Sequence, residues 1–240
     1  MAVWFIAIVL TGFIPDALDM VAAVKAGQRP PLPIVLHVHA VLMASFLLLL
    51  LTQTVLMAAG RSHLHRQLGA AAFVLAPALV IVGIILVPTI YHSLWSFGQA
   101  GGPEVQAKTQ QGLRALDNIM LLQLRIGVLF PLFLFIGLRA RSNNSGFHKR
   151  MMILATAIPL AAGIDRIAWL PTTLPVSALA GDLYILAAVA PMFAWDVIRN
   201  RRVHEAYLVW LGVSLPVALV LYRLWDTPGW HSMAHRLMGV

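Results

Sequence analysis

The sequence has no cysteine and few charged residues, and each absence narrows the class of protein. Without cysteine, the 240-residue chain can form no disulfide, thiolate metal site or cysteine nucleophile. Charged residues make up 11% of the chain and hydrophobic residues 60%, which leaves too little polar surface to cover a soluble globule. The composition therefore predicts an integral membrane protein.

The signatures of common soluble enzymes are also missing. The sequence has no phosphate-binding glycine loop, no His-Glu-x-x-His zinc motif and no serine nucleophile flanked by glycines. The net charge of +8 does not predict nucleic-acid binding, because the basic residues lie in short loops instead of forming a stripe with aromatic residues. Nothing in the sequence points to an enzyme, and whether the protein is one stays open.

Long apolar segments make up most of the chain. A helix of about 20 apolar residues crosses the hydrocarbon core of a bilayer, and seven such segments can be drawn. They predict an all-α, polytopic transmembrane helix bundle that forms a single domain over residues 1–240. The first segment is too short to cross alone, so we expect it to continue through Val24, to tilt, or to lack residues at its start. The predicted spans are 2–14, 33–57, 67–90, 114–138, 151–170, 179–198 and 206–224.

The longest connection, residues 91–113, is polar and contains a glycine-rich centre. Gly98, Gly101, Gly102 and Pro103 interrupt it. Its length and composition predict a flap or a short surface helix over an opening on the outer face.

The distribution of lysine and arginine predicts the orientation of the bundle. The connections after the second, fourth and sixth spans are strongly basic, whereas the opposite loops mix basic with acidic residues. The positive-inside rule places the basic connections and the amino terminus in the cytoplasm, and the carboxyl terminus outside a bacterial inner membrane. The basic residues are Arg61, Arg66, Arg139, Arg141, Lys149, Arg150, Arg199, Arg201 and Arg202.

Three histidines set among basic residues open apolar segments, and each precedes a proline by 11 or 12 residues. This recurrence predicts three repeated helical hairpins with the histidines at one depth on the cytoplasmic face. The alternative is that amphipathic residues favour the interface and that proline is common in membrane helices. The pairs are His65 and Pro77, His148 and Pro159, and His204 and Pro216.

Polar residues inside the apolar spans predict an outward-facing pocket. Arg125 lies near the membrane midplane, where a lone guanidinium costs about 2.5–3.5 kcal/mol, so it must face the interior and find a partner. Asp165 on the next span is the best candidate, with Asp117, backbone carbonyls or a ligand as alternatives. A pocket of His39, Asp117, Arg125, Asp165 and Arg166 would hold a small polar or amphipathic ligand.

Histidines offer two candidate metal sites. His65 and His148 open neighbouring hairpins and are candidate ligands of haem b or a divalent metal, although both lie at helix ends. His231 and His235 share a helical face and would suit zinc or copper if a third ligand converged. The competing interpretations are an interfacial histidine bonded to a carbonyl and, for the second pair, an amphipathic terminal helix resting at the interface.

Four motifs together resemble a family of bacterial multi-spanning membrane proteins of uncharacterised activity. The resemblance implies a helical inner-membrane protein and no particular reaction. His231 and His235 lie outside these motifs. The motifs are His37-Val38-His39-Ala40; Gln53-Thr54 followed by Gly60-Arg61; Leu64-His65-Arg66-Gln67-Leu68-Gly69; and Phe147-His148-Lys149-Arg150-Met151-Met152.

Three functions are compatible with the sequence. The first is binding of a small ligand in the outward-facing pocket, and it ranks slightly above the second, a redox protein with haem b or a metal. The third is a membrane scaffold or assembly factor, in which buried charges only fix helix packing. The expected partners are the lipid bilayer and a small molecule, without nucleic acid, and the sequence gives no oligomeric state.

Overall fold

All regular structure in the chain is helical. The computed structural model describes residues 1–240 and contains no β-strand, which confirms the predicted all-α fold. Two 3-10 turns, Ala140–Ser142 and Ile158–Leu160, join longer elements. The α-helices are α1 (Ala2–Lys25), α2 (Ile34–Ala58), α3 (Ser62–Gly69), α4 (Ala72–Ala100), α5 (Pro103–Arg139), α6 (Ser145–Ala157), α7 (Ala161–Ile164), α8 (Leu179–Asn200), α9 (Glu205–Leu224) and α10 (Pro228–Met238).

Six helical stretches are long and apolar enough to cross a membrane. They are α1, α2, α3 with α4, α5, α8 and α9. The first helix continues to Lys25. Continuation beyond the short first segment was one of the three predicted alternatives. These helices make the chain a membrane protein built as a helical bundle.

The predicted fifth span, 151–170, is a broken helix. It consists of α6, the turn Ile158–Leu160 and α7, and the chain is irregular from Asp165 to the start of α8. Pro159 has no N–H group and its ring clashes with the preceding turn, so the helical hydrogen bonds are interrupted there. This break, which the apolar composition did not reveal, places residues 165–178 in a connection instead of a span.

The predicted flap is instead part of a long helical hairpin. Only Gly101 and Gly102 separate α4 from α5, and Pro103 suits the first helical turn because its missing N–H is not needed there. The two helices approach closely, since a Cβ at Gly98 would lie 2.4 Å from Cγ2 of Thr109. With 37 residues, α5 is about 55 Å long and exceeds the thickness of a bilayer core.

A core of large apolar side chains joins α1, α5, α6, α8 and α9. Phe133, Met151 and Leu154 are fully enclosed within it. On one side, the backbones of α1 and α7 touch, because a Cβ at Gly12 would lie 1.9 Å from the carbonyl oxygen of Gly163. Small residues permit such close approach of helices in membranes, so the position of α1 depends on glycine at this contact.

The connections rich in lysine and arginine meet at one end of the bundle, which we call the basic end. There the ring centroids of His65 and His148 are 6.5 Å apart, and Nδ2 of Asn144 donates to Oε1 of Glu205 at 2.9 Å. These contacts join the connections before α3, α6 and α9. At the opposite end, the α10 end, α10 folds back against α4 and α5.

Candidate functional site

Arg125 pairs with an aspartate that the sequence analysis overlooked. Its Nη1 donates to Oδ1 of Asp182 at 2.6 Å, and the hydroxyl of Tyr222 donates to Oδ2 of Asp182 at 2.5 Å. The predicted pairing of Arg125 with Asp165 is therefore wrong. The reason is that the helix ends at Ile164: Asp165 packs against Gly181, while the first turn of α8 brings Asp182 to the guanidinium. We call Arg125, Asp182 and Tyr222 the α10-end cluster.

Arg166 and Asp165 point to different neighbours although they are adjacent in sequence. Nε of Arg166 donates to Oδ2 of Asp16 on α1 at 3.0 Å, and its guanidinium lies 4.7 Å from the centre of the Phe13 ring. The carboxylate of Asp165 is half-buried and makes no hydrogen bond. It therefore stands beside the α10-end cluster as an additional, unpaired acid.

His39 is separate from the other predicted pocket residues. It lies on α2, and its Nδ1 is buried without a hydrogen-bond partner. No hydrogen bond or ion pair joins it to Asp117, Arg125, Asp165 or Arg166. The five predicted residues are thus distributed over distinct contacts, and Asp165 alone lies near others of the set, Arg125 and its sequence neighbour Arg166.

Asp117 is the most enclosed charged residue in the chain, with no exposed surface. The hydroxyl of Tyr91 donates to its Oδ1 at 3.1 Å, and Nδ1 of His231 donates to its Oδ2 at 2.7 Å. Nε2 of His235 lies 3.5 Å from the same Oδ2. His231 and His235 thus converge on the carboxylate of Asp117, as they would in a metal site. In this structure, however, the imidazole of His231 is hydrogen-bonded directly to that carboxylate. No group of three or more such side chains is arranged to hold a metal ion.

His231 also bridges to the turn before α10. Its Nε2 lies 3.0 Å from Oδ1 of Asp226, and Asn118 fixes Asp226 by accepting from its backbone N at 3.0 Å. Burial alone would lower the pKa of His231, but the hydrogen bonds to Asp117 and Asp226 outweigh burial and raise that pKa above its ordinary value. The charged imidazole is therefore the form that this contact stabilises.

A cavity of about 270 Å³ lies between the end of α4 and the start of α5. Trp95 and Leu113 line it. Trp95 is one helical turn from Tyr91, and Leu113 is one helical turn from Asp117, the two residues joined by a buried hydrogen bond. Sequence reasoning missed this site, although the amide side chains in residues 91–113 were a visible signal. The lining is Trp95, Gly98, Gln99, Pro103, Gln106, Ala107, Thr109, Gln110 and Leu113.

A second buried ion pair lies at the basic end. Nε and Nη2 of Arg150 donate to both oxygens of Asp196, at 2.6 and 2.5 Å, and the hydroxyl of Tyr207 donates to Oδ2 of Asp196 at 2.6 Å. The sequence analysis counted Arg150 as a loop residue, because it follows His148 and Lys149 in a basic run. We call Arg150, Asp196 and Tyr207 the basic-end cluster.

His65 and His148 are neighbours, with their rings nearly perpendicular at 77°. Nδ1 of His148 donates to the carbonyl of Gly137 at 2.8 Å, which leaves Nε2 as the acceptor. The side-chain amide of Gln53 is oriented so that both its nitrogen and its oxygen have partners. The nitrogen donates to Nδ1 of His65 at 2.5 Å, and the oxygen accepts from the backbone N of Gly69 at 3.2 Å. The neutral His65 ring then carries its proton on Nε2.

Comparison with models of known protein families, with curated proteins and with solved structures gave no match for this chain. The resemblance to a bacterial membrane-protein family stays a prediction from four motifs.

Proposed function

We propose that this protein is an integral protein of the bacterial inner membrane that binds a small polar ligand at its outward-facing end. The observation that carries the proposal is the cavity between α4 and α5. Gln99, Gln106 and Gln110 supply both donors and acceptors there, and Trp95 supplies an apolar face. Binding sites for small ligands typically combine an apolar wall with a few polar groups that fix orientation.

The orientation rests on the clustering of basic connections. Since they meet at one end of the bundle, the positive-inside rule assigns that end to the cytoplasm and the α10 end, with the cavity, to the outside. A reporter that is active only in the cytoplasm should give a signal when fused after residue 144 and none when fused after residue 103. The reverse pattern would place the cavity inside the cell.

Ligand binding is testable by thermal stabilisation, because a ligand that binds only the folded state raises the unfolding temperature. The purified protein would be screened against monosaccharides, amino acids and small amides. We expect a stabilising compound whose effect is lost in Gln110→Leu, since that change removes an amide from the cavity wall. Gln111→Leu is the matched control, because Gln111 is exposed and does not line the cavity.

Loss of stabilisation in both variants would show that the substitutions disturb the hairpin as a whole and would not support binding at Gln110. Equal stabilisation of both variants and the parent would remove the cavity from the proposal. Circular dichroism of each variant checks that the helices are intact.

A haem or metal centre at His65 and His148 is the second candidate. Ligating histidines commonly donate their other ring nitrogen to a carbonyl, and His148 does so to Gly137. The fit is incomplete, because Gln53 places the proton of His65 on Nε2, and a metal would have to displace it. A bound group would supply redox or Lewis-acid chemistry at the cytoplasmic face.

One spectrum and one elemental analysis test this candidate. Haem ligation predicts a Soret band in protein from haem-supplemented cells, and His65→Ala or His148→Ala should abolish it. His63→Ala is the control, since His63 is exposed. Protein without a Soret band and without bound iron, copper or zinc would contradict the haem and metal proposals together.

A further inference from the structure

The terminal helix α10 occupies the groove between α4 and α5 with few apolar anchors. The chain enters it through a sharp turn in which Asp226 has a φ of 55°. Of its 11 residues, only Trp230 and Ala234 are buried. Polar contacts therefore provide much of what positions the helix.

Those polar contacts converge on oxygen acceptors of Asp117 on α5, which α10 covers. Asp117 has no exposed surface, and the Trp230 indole donates to its backbone oxygen at 2.7 Å. His231 donates to its carboxylate, and His235 lies within reach of the same oxygen. While α10 is in place, the carboxylate has no contact with water, so the donors that α10 supplies compensate for its burial together with the Tyr91 hydroxyl.

A small molecule could supply the hydrogen-bond donors and the positive charge that α10 supplies to the groove. The helix presents N–H donors and, in the protonated imidazole, a positive charge to the oxygens of Asp117. The contact with Tyr91 comes from α4 and does not depend on α10. Asn118 and Asp117 both stay on α5 when α10 leaves, so the site is complete without the terminal helix.

We propose that the groove formed by Tyr91, Asp117 and Asn118 is a binding site for a small organic cation with N–H donors. The terminal helix occupies this groove as an internal ligand, and the cation displaces it. The groove is one helical turn from the cavity of the α4–α5 hairpin, and the site does not depend on a ligand binding in that cavity.

The lack of native cysteine permits a direct test with single-cysteine variants of the full chain. Ala234→Cys places a thiol at a fully buried position of α10, and Ser232→Cys places one at an exposed position of the same helix. The rate at which a membrane-impermeant thiol reagent modifies each cysteine would be measured in detergent at about pH 6, where imidazole is mostly protonated. The probe is imidazolium chloride, and tetramethylammonium chloride is the matched cation without N–H donors.

We expect imidazolium to accelerate modification of Ala234→Cys by about fivefold or more, the usual scale of coupling between a ligand and a conformational equilibrium. Ser232→Cys should react rapidly under all conditions and corrects for direct effects on the reagent. Tetramethylammonium at the same concentration should leave the Ala234→Cys rate unchanged.

A second experiment weakens the contact between α10 and Asp117 by substitution. Asp117→Asn in the Ala234→Cys background should raise the rate without any added cation and abolish the response to imidazolium. Should that variant fail to accumulate, His231→Asn weakens the same contact and keeps the carboxylate, so it should raise the basal rate and retain the response.

A slow Ala234→Cys rate under every condition and in every variant would overturn the proposal and make α10 a fixed cap. Equal acceleration by both cations would also overturn it, because general screening by salt would then explain the opening. Both outcomes are separable from failure of the proposed cavity ligand, since Gln110 stays unchanged in this experiment.

Discussion

Two clusters of the same three residue types hold α8 and α9 to the bundle, one toward each end. In both, α8 supplies an aspartate and α9 a tyrosine, while the arginine comes from α5 or α6. In both, the aspartate accepts from the arginine and from the tyrosine. The clusters are Arg150, Asp196 and Tyr207 at the basic end, and Arg125, Asp182 and Tyr222 at the α10 end.

The two clusters differ in how completely the aspartate is satisfied. Asp196 binds Arg150 through both oxygens, and the two side chains are each 9% exposed. Asp182 binds Arg125 through one oxygen and is 21% exposed, with Asp165 unpaired nearby. The same residue types thus form a fully paired, buried contact at the basic end. At the α10 end, where the cavity also lies, they form a less complete and more accessible contact.

The largest effect should come from opening the closed cluster. Removal of one partner from a buried pair costs about 3–5 kcal/mol, so Asp196→Ala should strongly lower the free energy of unfolding measured by denaturant titration in detergent. The double variant Arg150→Met with Asp196→Leu should recover most of the loss, because no charge is left buried. A mild effect of Asp196→Ala would mean that water reaches the basic-end cluster and that the two ends are alike.

Asp182→Ala should be milder, about 1–3 kcal/mol, because the nearby carboxylate of Asp165 already interacts electrostatically with Arg125 and we expect it to become the new partner. Asp165→Ala alone should have little effect, whereas the combination with Asp182→Ala should exceed the sum of the single changes. The same titration provides the double-mutant cycle. Strict additivity would show that Asp165 does not substitute for Asp182.

The tyrosines allow a finer comparison. A hydrogen bond to a charged acceptor contributes about 1.5 kcal/mol or more, so Tyr207→Phe should destabilise the protein by about that amount. Tyr222→Phe should cost less, since the more exposed Asp182 can bond water instead. Equal losses in the two unfolding curves would remove the proposed difference in accessibility.

The smallest effect concerns titration at the α10 end. The pKa of His231 is raised above its ordinary 6.5, so its contact contributes fully below about pH 6.5 and is lost as pH rises through the raised pKa. The unfolding temperature should therefore fall by about 2–4 °C between pH 6 and 9. His231→Gln should flatten this profile. An unchanged slope in the variant would assign the pH dependence to another group.

Much of the fold follows from local features of the sequence. The predicted spans 33–57, 179–198 and 206–224 closely match α2, α8 and α9, because apolar length and flanking charges define a membrane helix. The break at Pro159 was not predictable, since Pro77 and Pro216 lie inside continuous helices. Neighbouring elements decide whether a proline ends a helix or is accommodated within it.

The candidate site was predictable only in its parts. The sequence indicated that Arg125 needs an anion and that His65 and His148 lie near one another, and the structure brings both histidines together. It could not select Asp182 over Asp165, because the choice depends on which helix packs against α5. It also gave no sign that α10 would cover Asp117, since 114 residues separate His231 from that carboxylate.

The sequence by itself determined the class of protein and most of its helical segments, because solvation of apolar side chains and of backbone groups acts on each segment separately. Only the tertiary structure decided which charges meet. Pairing of Arg150 with Asp196 and of Arg125 with Asp182 depends on how helices distant in sequence pack. The energy of an ion pair depends on the distance between the charges and on their burial. Neither quantity can be derived from the local sequence.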